Sequence, residues 1–311
     1  MKVQEVIEIL ERLAPKTLAM SWDNVGLLAG RRDREVTGVY VGLDATEAVI
    51  QGAIDSGCNM LLTHHPLLFS PVKKVNDEDF VGNRILTMIE HGISYYAMHT
   101  SYDSAPGCMA DRAAELLGIR DGMPLEPVNE DGEPPCGIGK VGQLAEPATL
   151  EQLCARVKEQ FRLPAVQIFP AAKEGVCKTG HADDTAGAGH KTDGGGNSES
   201  RKTDDPEKHH KPGECERSKE AGQIDRIAVS PGSGKSMISL AIGAGAQALI
   251  TGDIGHHEGS DAAACGLTVI DAGHYGLEHI FIPHMAGFLR EQLGTGIPVI
   301  EAEFHIPFRF L

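Results

Sequence analysis

The sequence predicts an α/β fold in which two similar α/β lobes, with mixed, mainly parallel sheets, surround a central cleft. From Gly38 onward, short apolar runs rich in β-branched residues alternate with amphipathic helical stretches. This alternation is typical of a mainly parallel sheet covered by helices. A strand followed by polar residues also recurs, first as LLTHHP and YYAMHTSYD and later as LITGDIGHH and VIDAGHYGLE. We interpret this recurrence as a weak internal repeat, which predicts two half-sheets that converge on one cleft.

The first lobe is expected to span residues 1–123. One face of a helix that Pro15 ends carries five apolar residues: Val3, Val6, Ile7, Leu10 and Leu13. The strand-like runs that follow are GVYVGLD, NMLLTHH and ISYYAMH. Amphipathic stretches such as TEAVIQGAIDSG and DFVGNRILTMIEHG separate these runs, as expected for helices that connect parallel strands.

Three further segments are expected after the first lobe. Residues 124–170 are predicted to form a connecting subdomain, with a strand from Lys140 to Leu144, a helix from Thr149 to Phe161 and a strand at AVQIF. Residues 171–222 are predicted to be a disordered, low-complexity insert, because Val176 is their only large aliphatic residue. The second lobe, 223–311, ends with a long helix from about Tyr275 and a strand near PVIEAEF, and Pro283 should interrupt or kink that helix.

Composition excludes several classes of partner. The chain has 28 Lys and Arg against 44 Asp and Glu, a formal charge of −16, which disfavours nucleic acid and anionic lipid surfaces. No apolar run approaches the ~20 residues of a membrane span, and the N-terminal stretch lacks the apolar core of a secretion signal. A cytoplasmic protein without membrane contact is expected. The seven cysteines never form C-x-x-C, so we expect them to be reduced and structural.

Polar residues follow two strands of the first lobe. His64 and His65 stand at the carboxyl end of NMLLT, where ligands bind in α/β sheets. Neutral imidazole is the commonest metal ligand, although paired histidines also occur in loops without a ligand. His99 and Asp103 lie just past the next strand. Taken alone, Asp103 is better explained as the cap of a helix that begins near Pro106.

The second lobe offers a matching pair. His274 and Glu278 stand at i and i+4 on a helix that follows LTVI, which places both on one helical face. The predicted metal ligands are therefore His64, His65, Asp103, His274 and Glu278. This set exceeds the needs of one tetrahedral ion, so it favours two divalent ions that share a carboxylate. Imidazole with carboxylate and no thiolate suits zinc, iron(II) or manganese, which the sequence does not distinguish.

Three more residues are assigned to the surroundings of the metals. Asp253, His257 and His99 are expected to orient ligands or to contact substrate, with solvated loop positions as the alternative. The stretch SPGSGKS resembles a phosphate-binding loop, but the full motif requires glycine where this chain has Val229. The turn from Gly232 to Ser236 is therefore either an anion subsite on backbone N–H groups or a plain tight turn.

Five motifs, in order, resemble the Nif-three-like dinuclear-metal family, often labelled GTP cyclohydrolase 1 type 2 homologues: SWDNVGLL, LLTHHPLLF, HTSYD, TGDIGHH and IDAGHYGLEH. The resemblance covers residues 1–170 and 223–311. It implies two α/β lobes around two metal ions, a ring-shaped homohexamer, and the same five ligand positions. The family label implies opening of the guanine ring of GTP by metal-activated water.

The resulting functional hypothesis is a dinuclear metal-dependent hydrolase that acts on a nucleotide or related small molecule, with GTP cyclohydrolase as the named candidate. The alternative is a non-catalytic metal-binding or scaffolding homo-oligomer that uses the same ligands for storage, delivery or assembly. A third hypothesis, a nucleotide switch built on SPGSGKS, is weakened by Val229. The sequence leaves open whether the chain is an enzyme.

Overall fold

The apolar face predicted for the first helix is buried in the computed structural model, which describes residues 1–129, 135–172 and 222–308. Helix α1 (Val3–Leu13) buries Val3, Val6, Ile7 and Leu10, and the chain leaves the helix just before Pro15. A helix with one apolar stripe is stabilised mainly by tertiary packing of that stripe, so α1 marks the position of a core.

The elements of the first 129 residues alternate as the sequence predicts. In chain order they are β1 (Gly26–Ala29), β2 (Val39–Gly42), α2 (Glu47–Asp55), β3 (Met60–Thr63), α3 (Phe80–Glu90), β4 (Ser94–Ala97), α4 (His99–Ser104), α5 (Met109–Leu117) and β5 (Ile119–Pro127). The later elements are β6 (Gly137–Ala148), α6 (Leu150–Gln160), β7 (Gln167–Phe169), β8 (Ile224–Ser233), α7 (Met237–Gly243), β9 (Ala248–Gly252), α8 (His256–Ala264), β10 (Thr268–Asp271), α9 (His274–Glu278), α10 (Phe281–Leu293) and β11 (Val299–Glu301).

The strands form two mixed sheets, as predicted, but only the first of them is mainly parallel. The first sheet has the order β1-β4-β3-β2-β11, and all of its pairs are parallel except β1 with β4. The second has the order β5-β6-β8-β9-β10-β7. Only β8–β9 and β9–β10 are parallel there, because the β5–β6 hairpin and the edge strand β7 add antiparallel pairs.

Strand pairing adds two facts to the predicted lobes, whose boundaries stay predictions. Strand β5 continues through the expected boundary at 123–124 and belongs to the second sheet. Strand β11, near the end of the chain, pairs with β2 of the first sheet. Of the predicted insert 171–222, residues 173–221 lie outside the described residues.

Side-chain alternation along the strands divides the apolar residues among three layers. The largest cluster lies between the sheets and includes Leu62 of β3 and Ile250 of β9. The neighbouring residues Leu61 and Leu249 point the other way, into outer clusters with α2 and α3 or with α7 and α8. The two sheets therefore share one core, and that shared core fixes the position of one sheet relative to the other.

The predicted interruption of the last long helix is present, but it lies before Pro283. His279 and Ile280 separate α9 from α10, and Pro283 is the third residue of α10. A proline in the first helical turn sacrifices no hydrogen bond, because that N–H has no partner within the helix. The break frees α9 to point its side chains between the sheets. None of the helices in the described ranges is long and apolar enough to cross a membrane.

Candidate metal centre

The carboxyl ends of three strands bring the predicted ligands together. His64 and His65 follow β3 directly, Asp103 lies on α4 after β4, and His274 and Glu278 lie on α9 after β10. The rings of His64 and His65 are 4.8 Å apart between centroids, so the turn directs both into the same space. The strand ends of the two sheets meet here, as the sequence predicts.

Buried polar contacts hold the turn that carries the two histidines. The His65 carbonyl accepts from the Tyr95 hydroxyl at 2.9 Å and from Thr63 Oγ1 at 2.8 Å. The Tyr95 hydroxyl also accepts from the Leu67 amide, at 2.8 Å. Tyr95 is buried on β4. These bonds fix the backbone of residues 63–67 and leave the two imidazoles free to face the cleft.

Two glycines allow α9 to approach the second sheet closely. Gly232 has φ +85°, and a Cβ there would lie 2.5 Å from Glu278 Oε1. A Cβ on Gly252 would lie 2.5 Å from the His274 amide nitrogen. A side chain at 252 would therefore displace the start of α9, and a side chain at 232 would displace the Glu278 carboxylate. Gly232 of SPGSGKS thus has a packing role. Lys235 of the same motif pairs with Glu258 at 2.5 Å. The anion subsite stays a prediction.

The outer ligand set consists of His65, His274 and Glu278. Glu278 Oε2 lies 2.9 Å from His65 Nε2 and 3.1 Å from His274 Nε2. The two Nε2 atoms are 3.2 Å apart. One carboxylate and two imidazoles from different sheets therefore converge on a single point, at distances that a shared cation would explain.

The inner ligand set consists of His64, Asp103 and Glu278. His64 Nε2 is 3.5 Å from Asp103 Oδ1 and 3.6 Å from Glu278 Oε1. Four buried atoms of these residues have no hydrogen-bond partner: His64 Nδ1, His64 Nε2, Asp103 Oδ1 and Glu278 Oε2. Glu278 Oε2 is close to His65 Nε2 and His274 Nε2, but the angles of these two contacts are not those of hydrogen bonds. Buried polar atoms normally have hydrogen-bond partners. These unpaired nitrogen and oxygen atoms are of the types that bind divalent metals.

Aspartates fix the orientation of three imidazoles. His65 Nδ1 donates to Asp44 Oδ1 at 2.8 Å, and His274 Nδ1 donates to Asp253 Oδ2 at 2.7 Å. With the proton on Nδ1, each neutral ring presents a bare Nε2 lone pair to the outer set, as metal-bound histidines do. His99 Nδ1 donates to Asp23 Oδ1 at 3.0 Å in the same way.

The pKa values show that the cluster attracts positive charge. Burial acts to lower the pKa of His65, but the Glu278 charge and the Asp44 hydrogen bond raise it to about 10. Burial also acts to lower the pKa of His274, but the hydrogen bond to Glu278 and the charge of Glu278 raise it to about 9. Burial, with the Glu278 charge, raises the pKa of Asp103 to about 8. Without another cation, protons compensate the buried carboxylates.

Of the three residues predicted to surround the metals, Asp253 and His99 lie at the cluster and His257 does not contact it. Asp253 orients His274, and the ring of His99 lies 5.3 Å from that of His64 and 5.6 Å from that of His65. His257 is exposed on the first turn of α8, and its ring meets the ring of His256 edge-on, with 5.2 Å between ring centroids. The alternative role of Asp103 as a helix cap is absent, because Cys108 precedes α5 and Asp103 lies within α4.

Sequence reasoning missed Asp23 and Asp44. Asp44 follows the carboxyl end of β2 in GVYVGLD, so the strand-end argument that identified His64 could also have identified it. Asp23 lies in an irregular stretch before β1 and accepts from the Thr100 amide at 2.9 Å. It carries no local signal of this role, because its partners are 76 and 77 residues away in the chain.

The fold and the cluster define a two-sheet α/β protein with groups that could bind metal between its sheets. The chain belongs to the Duf34/NIF3 (NGG1p interacting factor 3) family, whose model matches residues 1–190 and 211–306. The predicted family membership is confirmed.

Individual relatives match over almost their whole length. A GTP cyclohydrolase 1 type 2 homolog from Clostridium acetobutylicum is 30% identical over 314 residues, which cover 100% of this chain and 99% of that protein. A relative of the same name from Clostridium perfringens is 28% identical, with 100% of each chain covered. The crystal structure of a Bacillus cereus protein related to NIF3 superposes with a TM-score of 0.78 at 22% identity, covering 100% of this chain and 99% of that one. This likeness confirms the predicted fold.

Proposed function

We propose that the chain binds two divalent cations between its sheets and uses them in the hydrolysis of a small molecule. The observation that carries the proposal is the contact of Glu278 with His65 and His274, at 2.9 and 3.1 Å. Three groups with lone pairs converge there. Among the described residues, no Lys or Arg pairs with Glu278, so only a bound cation or proton relieves the repulsion between these groups.

The proposed number of ions rests on the two groups of possible ligands that contain Glu278; a third group, His64, His65 and His99, adds no carboxylate. His65, His274 and Glu278 form one group of possible ligands, and His64, Asp103 and Glu278 form another. Glu278 belongs to both, which supports two ions that share one carboxylate. Imidazole and carboxylate ligands suit zinc, iron(II) or manganese. We keep all three as candidates for the metal.

Bound divalent ions would supply Lewis-acid polarisation and a water of lowered pKa. The chain's own residues have separate tasks. Asp44 and Asp253 hold the imidazoles of the outer set in the tautomer that offers Nε2. Asp23 holds His99 beside His64 and His65, where its ring can contact a molecule that enters the cleft. The relatives' name makes GTP one candidate substrate.

A non-catalytic role in metal storage or delivery is the second candidate. His64 is 0% exposed and Glu278 is 3% exposed, so a cation in the inner set would be shielded from molecules in the cleft. A closed site of this kind is typical of structural metals, whereas catalytic sites keep a position open to solvent.

The test is incubation of metal-loaded protein with nucleotides, phosphoesters and amides, together with elemental analysis. We expect about two metals per chain and a product that disappears in His65→Ala. His91→Ala, which removes an exposed histidine at the end of α3, is the matched control. Two metals without turnover of any compound would favour the non-catalytic role. Protein without metal after exposure to zinc, iron(II) and manganese would contradict both.

We also propose that the chain forms a homo-oligomer, a hexamer in the family pattern. Exposed apolar side chains include Trp22, Phe69, Val72, Val75 and Phe80. Clustered exposed apolar residues mark interfaces more often than single ones do, and the rings of Trp22 and Phe69 lie 5.9 Å apart. Light scattering should give a mass of several times 33.2 kDa. A monomer at micromolar concentration would contradict this proposal and leave the metal site untouched.

A further inference from the structure

The cavity beside the outer ligand set has a chemical character of its own. It has a volume of about 750 Å³, within the usual range for small-molecule sites. His65 and His274 form part of its wall, so a molecule in the cavity reaches the outer set directly. We propose that this cavity selects an uncharged or cationic substrate with an apolar body, and that it disfavours a nucleoside triphosphate. The inference rests on the proposed function and narrows its substrate class.

Most of the cavity wall is apolar. The segment between α6 and β7 contributes Leu163 and Val166, the loop after β9 contributes Ile254, and the chain beyond β11 contributes Ile306 and Phe308. Tyr275 adds an aromatic ring. A surface of this kind is stabilised by the burial of an apolar ligand and offers little to a solvated, highly charged one.

Apart from the imidazoles of His65 and His274, the charged side chains of the wall are carboxylates in the part of the chain that the structure describes. Asp271 uses both oxygens, which accept from the Ile254 and Gly273 amides at 2.8 Å each. Asp44 and Asp253 each use one oxygen on an imidazole, and their side chains are 45% and 55% exposed. The second oxygen of each therefore remains available as an acceptor, which suits a ligand that brings N–H or O–H donors or a positive charge.

No lysine or arginine lines the cavity within the described ranges of the chain. Sites that hold phosphate groups offer guanidinium, ammonium or clustered backbone N–H donors. Here the phosphates of a nucleotide would instead face Asp44, Asp253 and Asp271. Repulsion by these three carboxylates, with no Lys or Arg among the described wall residues to compensate them, disfavours that ligand.

The test uses three probes with the same phenylethyl body and different heads: (2-phenylethyl)trimethylammonium, 2-phenylethanol and 2-phenylethanesulfonate. The quaternary ammonium and the sulfonate differ in charge and are poor metal ligands, so differential coordination does not decide the result. Their dissociation constants are measured by ligand-observed NMR on zinc-loaded and on metal-free protein, with GTP as a competitor. We expect the cation to bind at least about tenfold more tightly than the sulfonate, with the alcohol between them. Tetramethylammonium, which lacks the ring, should bind more weakly than the ring-bearing cation.

Gln167 provides the matched variants. It is an exposed residue of β7 that lines the cavity, whereas its neighbour Ile168 is exposed but does not line it. Gln167→Lys should weaken binding of the cation and strengthen binding of the sulfonate. Gln167→Met, which changes no charge, should keep the original order, and Ile168→Lys controls for a lysine added elsewhere on the same strand.

The outcomes separate the two proposals. If zinc, iron(II) and manganese all fail to bind, the proposed function fails, and the order of affinities on metal-free protein still decides the inference. If zinc binds and the sulfonate binds as tightly as the cation, or GTP displaces the alcohol at lower concentration than the cation does, the inference is overturned alone. Absence of binding by all three probes at millimolar concentration would also overturn it. A cation preference lost in Gln167→Lys and kept in Ile168→Lys supports it.

Discussion

The two sheets contribute unequally to the candidate metal centre. The first sheet supplies His64, His65 and Asp103, whose side chains are 0%, 21% and 14% exposed. The second sheet supplies Glu278, which is 3% exposed, and His274, which is 34% exposed and lines the large cavity. The inner set is therefore closed and belongs mostly to the first sheet, whereas the outer set is open and joins both sheets.

This difference assigns separate tasks to the two sets. Taking charge out of water is costly unless it is paired, so a cation held at the closed inner set would chiefly compensate the buried carboxylates of Asp103 and Glu278. A cation at the outer set is within reach of a molecule in the cavity. Glu278 is the exception to the division, because it touches both sets. Substitutions that act on one set or on both can test the comparison.

The largest effect is expected from Glu278→Gln, because it removes the one charge that both sets share. An amide is neutral and bridges cations poorly, so we expect metal affinity to fall by more than about 100-fold at both sets. Metal content after dialysis, measured by elemental analysis, should drop from about two per chain towards zero. Glu258→Gln, at a partly exposed residue of α8 that pairs with Lys235, is the control and should keep full metal content. Retention of one tightly bound metal in Glu278→Gln would show that one set is complete without the shared carboxylate.

A smaller effect is expected when the orienting aspartates are changed. Asp44→Asn acts on His65 from the first sheet and Asp253→Asn acts on His274 from the second. Residues that orient metal-bound histidines contribute about 10–100-fold to affinity. We expect each variant to weaken one metal by that factor and to leave the other unchanged, because neither aspartate bonds to His64.

Calorimetric titration with zinc should resolve the two sites in these variants. Asp55→Asn is a suitable control, since Asp55 ends α2 and pairs with Gln51 on the surface. Equal weakening of both metals by either substitution would mean that the sets are coupled and that the division between a closed and an open set is wrong.

The pH dependence of metal binding should be a further, moderate effect. In the metal-free protein the pKa of His65 is raised to about 10 and that of His274 to about 9, so both rings carry an extra proton at pH 7. A metal that binds Nε2 must displace those protons. Apparent affinity should therefore rise with pH between about 6 and 9, by about tenfold per unit for each proton released.

Calorimetry in buffers of different ionisation enthalpy counts the protons directly. We expect one to two protons released at the outer set, and none from His64 at pH 7 to 8, because burial lowers its pKa. His91→Ala should give the same proton count as the original chain. A pH-independent affinity would contradict the assignment of His65 and His274 as ligands.

The sequence predicts the local part of this site and misses the part that depends on distant contacts. His64 with His65, and His274 with Glu278, were identifiable because a strand end and an i,i+4 spacing are short-range patterns. Asp23 was not identifiable in this way, because its partner His99 is 76 residues away in the chain and the two meet only in the folded protein. The pairing of β11 with β2 is equally non-local, and no pattern within either strand specifies the partner.

The smallest effect, no measurable change, is expected from replacing residues 173–221 with a linker of about 12 Gly and Ser residues. Val176 is the only large aliphatic residue of this stretch, which contains no aromatic residue, so its composition offers almost nothing to either sheet. Lengthening a surface loop costs only about 0.6 kcal/mol per doubling, and shortening one should change stability by a similarly small amount. The chain before the stretch is anchored independently, because the Ala172 amide donates to the Ala263 carbonyl at 2.9 Å and the Ala171 amide to Thr268 Oγ1 at 3.1 Å. All five proposed ligands lie elsewhere, so metal content, oligomeric mass and melting temperature should match those of the full chain. Loss of metal or of assembly in the shortened protein, with the fold retained by circular dichroism, would show that the stretch takes part in the site or the interface despite its composition.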